Sequence, residues 1–190
     1  MKITIVGVGA LGSHVTLLLR NLDATLRVID FDKVEGKNVM SQFHGKPGVG
    51  KNKTVALQGV MSLLFGKKLE ATPHRLTTEN DDALLAGSDL IIDCLDNAAA
   101  RRVVQNFARR SHTPCVHGAL TDDGTFGRVV WDELFTIDIE GAANAPTCEN
   151  GEHLPFIGLA SSQLAIAVQQ FIKTGKKRNW NVYPSSVKEF

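Results

Sequence analysis

Residues 2–12, Lys-Ile-Thr-Ile-Val-Gly-Val-Gly-Ala-Leu-Gly, decide the fold class of this chain. The first five residues form a short β-branched run that predicts a strand. Leucine and valine residues at helical spacing follow, and they predict a helix over 12–21. Gly7, Gly9 and Gly12 let the backbone close around a phosphate, and the start of a helix offers free amide donors. The stretch predicts a nucleotide-binding loop, with tight strand–helix packing without a ligand as the alternative.

Strands and helices alternate along the next hundred residues. Short β-branched runs and apolar residues at helical spacing predict strands at 25–30, 68–73, 89–93 and 114–119 and helices at 52–65, 79–86 and 97–111. Between the second strand and the next helix, residues 33–50 predict a long loop with one short helix. This alternation implies parallel crossover connections.

The C-terminal third has a different pattern. It predicts a hairpin with strands at 125–131 and 134–139 around Asp132-Glu133, a polar crossover loop at 140–156, an apolar helix at 157–173, a last strand near 179–183 and a polar tail. The sequence therefore predicts a single α/β domain over 1–190. Its sheet would be Rossmann-like, doubly wound and mainly parallel, with an antiparallel C-terminal extension.

The composition is that of a soluble globular protein, with 190 residues, 43% of them hydrophobic and 22% charged. The formal net charge of +1 gives no field that favours nucleic acid or a membrane surface. No run approaches the roughly 20 apolar residues of a membrane span, and the N-terminus lacks the layout of a secretory signal. We expect a cytoplasmic protein that binds neither nucleic acid nor membrane.

A polar stretch after the second strand indicates the kind of nucleotide. Asp30 ends that strand, where a carboxylate accepts hydrogen bonds from ribose hydroxyls, and Asp32 is a second candidate with a solvated loop acid as its alternative. Asn38 and Gln42 would share a face of a short helix and bind phosphate or ribose oxygens, unless they are ordinary polar loop residues. Lys53 suits a β- or γ-phosphate. Because an NAD site needs fewer such groups, the stretch favours ATP.

Asp96 lies three residues after the fourth predicted strand, in Asp-Cys-Leu-Asp-Asn at 93–97. Ligands of open α/β sheets bind at the carboxyl ends of the strands. A carboxylate there suits Mg²⁺, which keeps most of its waters and bridges to phosphates. The alternative is a helix N-cap, because Asp96 or Asn97 precedes a helix. The spacing alone leaves both possibilities open.

Together these motifs resemble the ThiF/MoeB family, the adenylating enzymes related to ubiquitin-activating enzymes. The resemblance covers roughly residues 3–120 and includes the glycine loop, Asp-Phe-Asp-Lys-Val at 30–34, Asn38, Gln42, Gly-Lys-Asn-Lys at 50–53, Asp-Cys-Leu-Asp-Asn at 93–97 and Arg101. It implies that Asp30 binds the ribose of ATP and that Asp96 holds Mg²⁺. It also implies that Asn38, Gln42 and Lys53 contact the phosphates.

The chain departs from the family pattern in three places. Ser41 stands where the family has an arginine just before Gln42. Because the chain starts at its first strand, we expect no N-terminal helix that donates an arginine across a dimer. The two Cys-x-x-Cys pairs that bind zinc in many members are missing. The first two departures bear on catalytic competence, with Lys37, Lys46 or Lys51 as candidate replacements for the lost charge.

The three cysteines are odd in number and widely spaced, which does not suggest a disulfide framework. Cys148 lies in the predicted crossover loop, where some relatives use a cysteine to take the activated acyl group; an inert thiol is the alternative. Cys94 and Cys115 lie in strand-like runs and are predicted core thiols.

The resemblance therefore implies an ATP-dependent adenylyltransferase with Lys53 and Asp96 as catalytic residues. The resemblance implies that its substrate is the C-terminal glycine of a small ubiquitin-like or sulfur-carrier protein. An NAD-linked oxidoreductase and a non-catalytic binding scaffold are the alternatives. The apolar set in the helix at 157–173 is wider than one core-facing stripe, which predicts a homodimer, with burial inside one subunit as the other explanation.

Overall fold

A computed structural model describes residues 1–137 and 151–190. Its strands are β1 (Lys2–Val6), β2 (Thr25–Ile29), β3 (Leu69–Thr72), β4 (Leu90–Asp93), β5 (Cys115–Leu120), β6 (Gly127–Trp131), β7 (Trp180–Tyr183) and β8 (Ser186–Glu189). Its α-helices are α1 (Ala10–Leu18), α2 (Lys53–Phe65), α3 (Asp81–Leu85), α4 (Ala98–Ser111) and α5 (Leu154–Thr174). Short 3₁₀ turns at Gly36–Met40 and Lys46–Gly48 interrupt the long loop between β2 and α2.

The strands form one sheet in the order β3-β2-β1-β4-β5-β6-β7-β8. β1 pairs in parallel with both β2 and β4, so the chain winds outward from β1 in two directions. Side chains of α1, α2 and α5 belong to one hydrophobic cluster, and those of α3 and α4 belong to a second one. The predicted doubly wound fold is confirmed. The carboxyl ends of β1, β2 and β4 meet where the winding reverses, which is the place where such sheets bind ligands.

Local signals explain where α2 begins and ends. The Asn52 side chain accepts a hydrogen bond from the Thr54 amide and caps the first turn. Gly66 adopts a left-handed conformation with φ +63°, which ends the helix after residue 65, the predicted last residue. Lys53 is therefore held at the first position of a fixed helix.

The antiparallel extension is confirmed, although its strands differ from those predicted. β6 pairs with β5 and β7, and β7 pairs with β8. The predicted hairpin over 125–139 is wrong in its described part, because Asp132–Leu134 forms a 3₁₀ turn and 135–137 form no strand. The Asp132 carboxylate at the start of this turn bonds to the buried His117. The predicted polar tail instead supplies β8, an exposed edge strand.

α5 packs against α1 and the extension of the sheet. Most of its apolar residues are buried or packed against the core, and Ile166, at 43% exposure, is the exposed member of the predicted apolar set. Burial within one subunit therefore accounts for most of that set. Among the described residues, α5 is the helix that is long and apolar enough to span a membrane. Its packing in the core explains that apolarity.

Candidate functional site

The three glycines after β1 have two different roles. Gly7 has φ +84°, and a Cβ atom there would lie 2.9 Å from the Cys94 carbonyl oxygen. A Cβ atom on Gly12 would lie 1.9 Å from the Gly7 carbonyl oxygen. Tight packing therefore requires both residues to be glycine. At Gly9 the nearest atom would be Gln42 Nε2 at 4.0 Å, so open space in front of α1 rather than packing accounts for this glycine.

Asp30 ties the end of β2 to the glycine loop. Its Oδ2 accepts a hydrogen bond from the Val8 amide at 2.8 Å, and its Oδ1 accepts one from the Asp32 amide at 2.9 Å. Burial raises the pKa of the Asp30 carboxyl above its ordinary value, against the opposing effects of the Lys53 charge and the two amides. Asp30, the predicted ribose-binding residue, is thus fixed beside the glycine loop.

Lys53 and Asp32 form an ion pair at the start of α2. The Lys53 ammonium lies 3.1 Å from Asp32 Oδ2, and Lys53 is only 9% exposed. The Asn52 side-chain amide also donates to the carbonyl oxygens of Asp30 and Asp32, at 3.0 and 3.1 Å. These bonds join the start of α2 to the end of β2. They bring Asp30, Asp32 and Lys53 together, as the sequence predicts for a nucleotide site.

Asn38 and Gln42 are both buried, yet they act differently. Asn38 Oδ1 accepts a hydrogen bond from the Glu35 amide at 2.8 Å and so caps the turn at Gly36–Met40. Gln42 instead brings its side-chain amide opposite Gly9. The structure therefore places Gln42 at the open part of the glycine loop. The side-chain oxygen of Asn38, in contrast, caps the turn at Gly36–Met40.

Two histidines hold residues 41–44 against the glycine loop, and sequence analysis did not identify them. His14 Nε2 lies 3.1 Å from the Ser41 carbonyl oxygen, and His44 Nε2 lies 2.9 Å from that of Val8. Burial lowers the pKa of His14 and lowers that of His44 to about 4, so both rings are neutral at pH 7 and each donates one N–H. The sequence signal for this role was only that His14 follows the glycine loop and His44 follows Gln42.

Two of the three lysines proposed to replace the missing arginine, Lys37 and Lys51, have other surroundings. Lys37 lies 3.6 Å from a Glu35 carboxylate oxygen. Lys51 lines a groove of about 720 Å³ between Lys46–Gly48 and α2. None of the predicted nucleotide ligands lines that groove. Ser41 itself is 1% exposed. Replacement of the arginine charge by one of these lysines stays a prediction.

Asp96 is exposed beyond the end of β4. The helix cap is Asn97, whose Oδ1 accepts a hydrogen bond from the Ala100 amide at 2.8 Å. Within residues 1–137 and 151–190, the Asp96 carboxylate makes no hydrogen bond or ion pair. Carboxylate oxygens with free lone pairs suit Mg²⁺, which binds through one or two carboxylates and the phosphates of its substrate. The same described ranges hold no group of three His, Cys, Asp or Glu residues that would form an all-protein metal site.

A buried ionic network lies directly behind the Asp96 turn. Asp93 Oδ2 lies 2.7 Å from His117 Nδ1 and 3.3 Å from Arg101 Nη1. His117 Nε2 lies 3.2 Å from Asp132 Oδ1. Burial opposes ionisation of Asp93, but the charge of Arg101 and the bond to His117 outweigh it and lower its pKa. Burial likewise favours a neutral His117, yet its bonds to the Asp132 and Asp93 carboxylates outweigh burial and raise its pKa well above the ordinary value.

The two described cysteines are core thiols, as predicted. Cys115 is 1% exposed, and Cys94 packs beneath Gly7 and Gly12. Burial raises the pKa of both thiols, so neither is a thiolate at pH 7. Cys148, the proposed acyl acceptor, lies outside the described residues.

The reversal of winding at β1, the glycine loop and the acidic end of β2 define a Rossmann-like α/β protein. The model of the ThiF family matches residues 1–150, and the chain belongs to that family.

Among curated proteins, the chain is 31% identical over 121 residues to "Adenylyltransferase and sulfurtransferase MOCS3" of Anopheles gambiae, which covers 62% of this chain and 27% of that protein. It is 27% identical over 175 residues to "Adenylyltransferase and sulfurtransferase UBA4" of Meyerozyma guilliermondii, over 87% of this chain and 41% of that one. The structure "Crystal structure of E. coli MccB + ATP" superposes with a TM-score of 0.77 at 16% identity, over 100% of this chain and 62% of that one. The chain thus spans less than half the length of these curated relatives.

Proposed function

We propose that this chain is an ATP-dependent adenylyltransferase that activates the C-terminal carboxylate of a small ubiquitin-like or sulfur-carrier protein. The observation that carries the proposal is that the open loop at Gly9, Asp30 and Lys53 lie together at the carboxyl ends of the strands. The accessible Asp96 follows the carboxyl end of β4. The names of the curated relatives, which are adenylyltransferases and sulfurtransferases, support the reaction.

In this proposal the residues of the chain bind and orient ATP. Asp30 accepts hydrogen bonds from the ribose hydroxyls, and the amides at the start of α1 with the Gln42 side chain bind phosphate oxygens. Lys53 leaves Asp32 and pairs with the triphosphate. Asp96 would hold Mg²⁺, which supplies Lewis-acid stabilisation of phosphate charge.

The reaction is a displacement at the α-phosphorus of ATP. An oxygen of the carrier's terminal carboxylate forms a bond to that phosphorus, and the bond to the bridging oxygen breaks. Pyrophosphate leaves with the bonding electrons, and the carrier becomes an acyl-adenylate. The chain contributes mainly by placing the two reactants in line and by stabilising the charge that develops.

A non-catalytic scaffold is the second candidate, because the buried Ser41 supplies no charge at the position of the family's arginine. An ATP–pyrophosphate exchange assay separates the two, since a scaffold binds nucleotide or carrier without exchanging label. An NAD-linked oxidoreductase is separated by melting measurements. Mg·ATP should raise the melting temperature by binding the native state, and NAD should raise it much less. A larger shift with NAD would contradict the proposal.

The proposal includes a cytoplasmic homodimer. The structural support for the dimer is the exposed Ile166 side chain on α5. Light scattering at micromolar concentration measures the mass directly. A stable mass near the 20.6 kDa of one chain, unchanged by ATP, would remove the dimer.

A further inference from the structure

Four ionised side chains from four elements form one buried network, which we call the Asp93 cluster: Asp93 of β4, Arg101 of α4, His117 of β5 and Asp132 after β6. Asp93 and His117 have side chains that are 0% exposed, and that of Arg101 is 11% exposed. Breaking a buried ionic network is costly because one charge is left unpaired. The cluster therefore fixes the relative positions of these four elements.

The Asp93 cluster makes hydrogen bonds to the backbone on the N-terminal side of Asp96. Asp93 Oδ1 accepts a hydrogen bond from the Leu95 amide at 2.9 Å, and Arg101 Nη2 donates to the Leu95 carbonyl oxygen. The same Arg101 nitrogen donates to the Gly118 carbonyl oxygen at 2.8 Å. Both polar backbone groups of Leu95 are thus held. On the other side, the Asn97 side chain caps α4, so the chain is fixed on both sides of Asp96.

His117 is the link that holds Asp93 in this orientation. Its Nδ1 lies 2.7 Å from Asp93 Oδ2 and its Nε2 lies 3.2 Å from Asp132 Oδ1. Arg109 Nε donates a hydrogen bond to Asp132 Oδ2 at 2.7 Å. This bond holds the Asp132 carboxylate in place beside His117. The Phe135 ring stacks on the imidazole with centroids 3.9 Å apart and planes 6° apart, so rotation of the ring is blocked.

We propose that His117 is a positioning residue for the Asp96 carboxylate, acting through Asp93 and Leu95. The inference rests on the proposed function, in which Asp96 binds the Mg²⁺ of Mg·ATP. Side chains that orient a metal ligand from behind commonly change metal affinity or activity by 10–100-fold when they are replaced. His117 thereby tunes how strongly nucleotide binding depends on the metal.

The two ring nitrogens allow a matched test with two variants. His117→Asn keeps an amide near the Nδ1 position and so keeps a donor to Asp93. His117→Gln keeps an amide near the Nε2 position and so keeps a donor to Asp132 instead. Both variants remove the same charge from the core. They differ in whether the link to Asp93 survives.

The measurement is the dissociation constant of ATP by calorimetry, with Mg²⁺ and with a chelator, on the full chain. The metal effect is the ratio of the two constants. We expect His117→Gln to reduce the metal effect by roughly tenfold or more and His117→Asn to keep most of it. Asp96→Ala should abolish the metal effect. If His117→Gln does not fold, Asp93→Asn replaces it with the same expectation.

Equal metal effects in the two His117 variants would overturn this proposal and leave the proposed function standing. A wild-type chain that binds ATP without any metal effect would overturn the Mg²⁺ site in the proposed function and this inference with it.

Discussion

Gly12 lies so close to Gly7 that a Cβ atom on Gly12 would be 1.9 Å from the Gly7 carbonyl oxygen. Gly12→Ala must therefore shift the backbone, and we expect it to lower the free energy of unfolding by about 1–3 kcal/mol or more. Gly9→Ala is the matched control, because its Cβ atom would meet nothing closer than 4.0 Å. It should fold like the wild type and bind ATP more weakly, since the methyl group enters the open loop. Urea unfolding and calorimetry test the pair, and Gly9→Ala that binds ATP normally would contradict the assigned role.

Lys53 should contribute more to binding than to stability. Its Asp32 partner has a side chain that is 49% exposed, and exposed ion pairs contribute about 0–1 kcal/mol. A charged hydrogen bond to phosphate contributes about 1.5–3 kcal/mol, which corresponds to roughly tenfold or more in affinity. We expect Lys53→Met to weaken ATP binding by that factor with little change in unfolding free energy. Lys53→Arg, which keeps the charge, should lose less. Unchanged ATP affinity in Lys53→Met would exclude a phosphate contact.

Asp96 and Asn97 are adjacent residues with separable roles. Asn97→Ala removes the cap of α4 and should lower the free energy of unfolding by roughly 0.5–2 kcal/mol, with adenylation per folded molecule largely retained. Asp96→Ala should leave the melting temperature unchanged and abolish adenylation. Measuring melting and exchange activity on both variants tests the assignment. A loss of stability in Asp96→Ala, with adenylation per folded molecule retained, would make Asp96 a structural residue and contradict the metal site.

His44 should make the fold sensitive to acid. Its pKa is lowered from 6.5 to about 4 in the folded state by burial, so between these values the unfolded chain binds more protons. Stability therefore falls as the pH drops from 6.5 to 4, by about 3 kcal/mol for a shift of this size. His14 adds to the same trend.

The check is denaturant unfolding at several pH values. His44→Gln keeps a donor for the Val8 carbonyl oxygen but does not titrate, so it should flatten most of the slope between pH 4 and 6.5. His74→Gln changes an exposed histidine and serves as the control with the wild-type slope. A wild-type slope in His44→Gln would show that another group causes the acid sensitivity.

The parts of the fold with local signals could be predicted from sequence. The β-branched run at 2–6 and the glycines after it specify β1 and the loop, and Gly66 marks the end of α2. The pairing of β6 with β7 could not be predicted, because β7 lies far along the chain, after α5. β8 also gave no signal, since its residues are polar and lie at an exposed edge.

The candidate site likewise contains residues that could be predicted from sequence and residues that could not. Asp30, Asp32 and Lys53 follow from motifs and meet in the structure. His44 and His117 were missed as positioning groups because their partners, Val8 and Asp93, lie far away along the chain. A buried histidine that bonds to a backbone carbonyl or a carboxylate has no sequence spacing that reveals it.

ATP–pyrophosphate exchange tests the central claim most directly. Labelled pyrophosphate, Mg²⁺ and ATP are incubated with the chain and a panel of ubiquitin-like and sulfur-carrier proteins, each supplied with and without its C-terminal glycine. The account predicts label in ATP only with an intact carrier, and none with Asp96→Ala. A wild-type chain that binds Mg·ATP and an intact carrier yet returns no label to ATP would contradict adenylation and leave a binding scaffold.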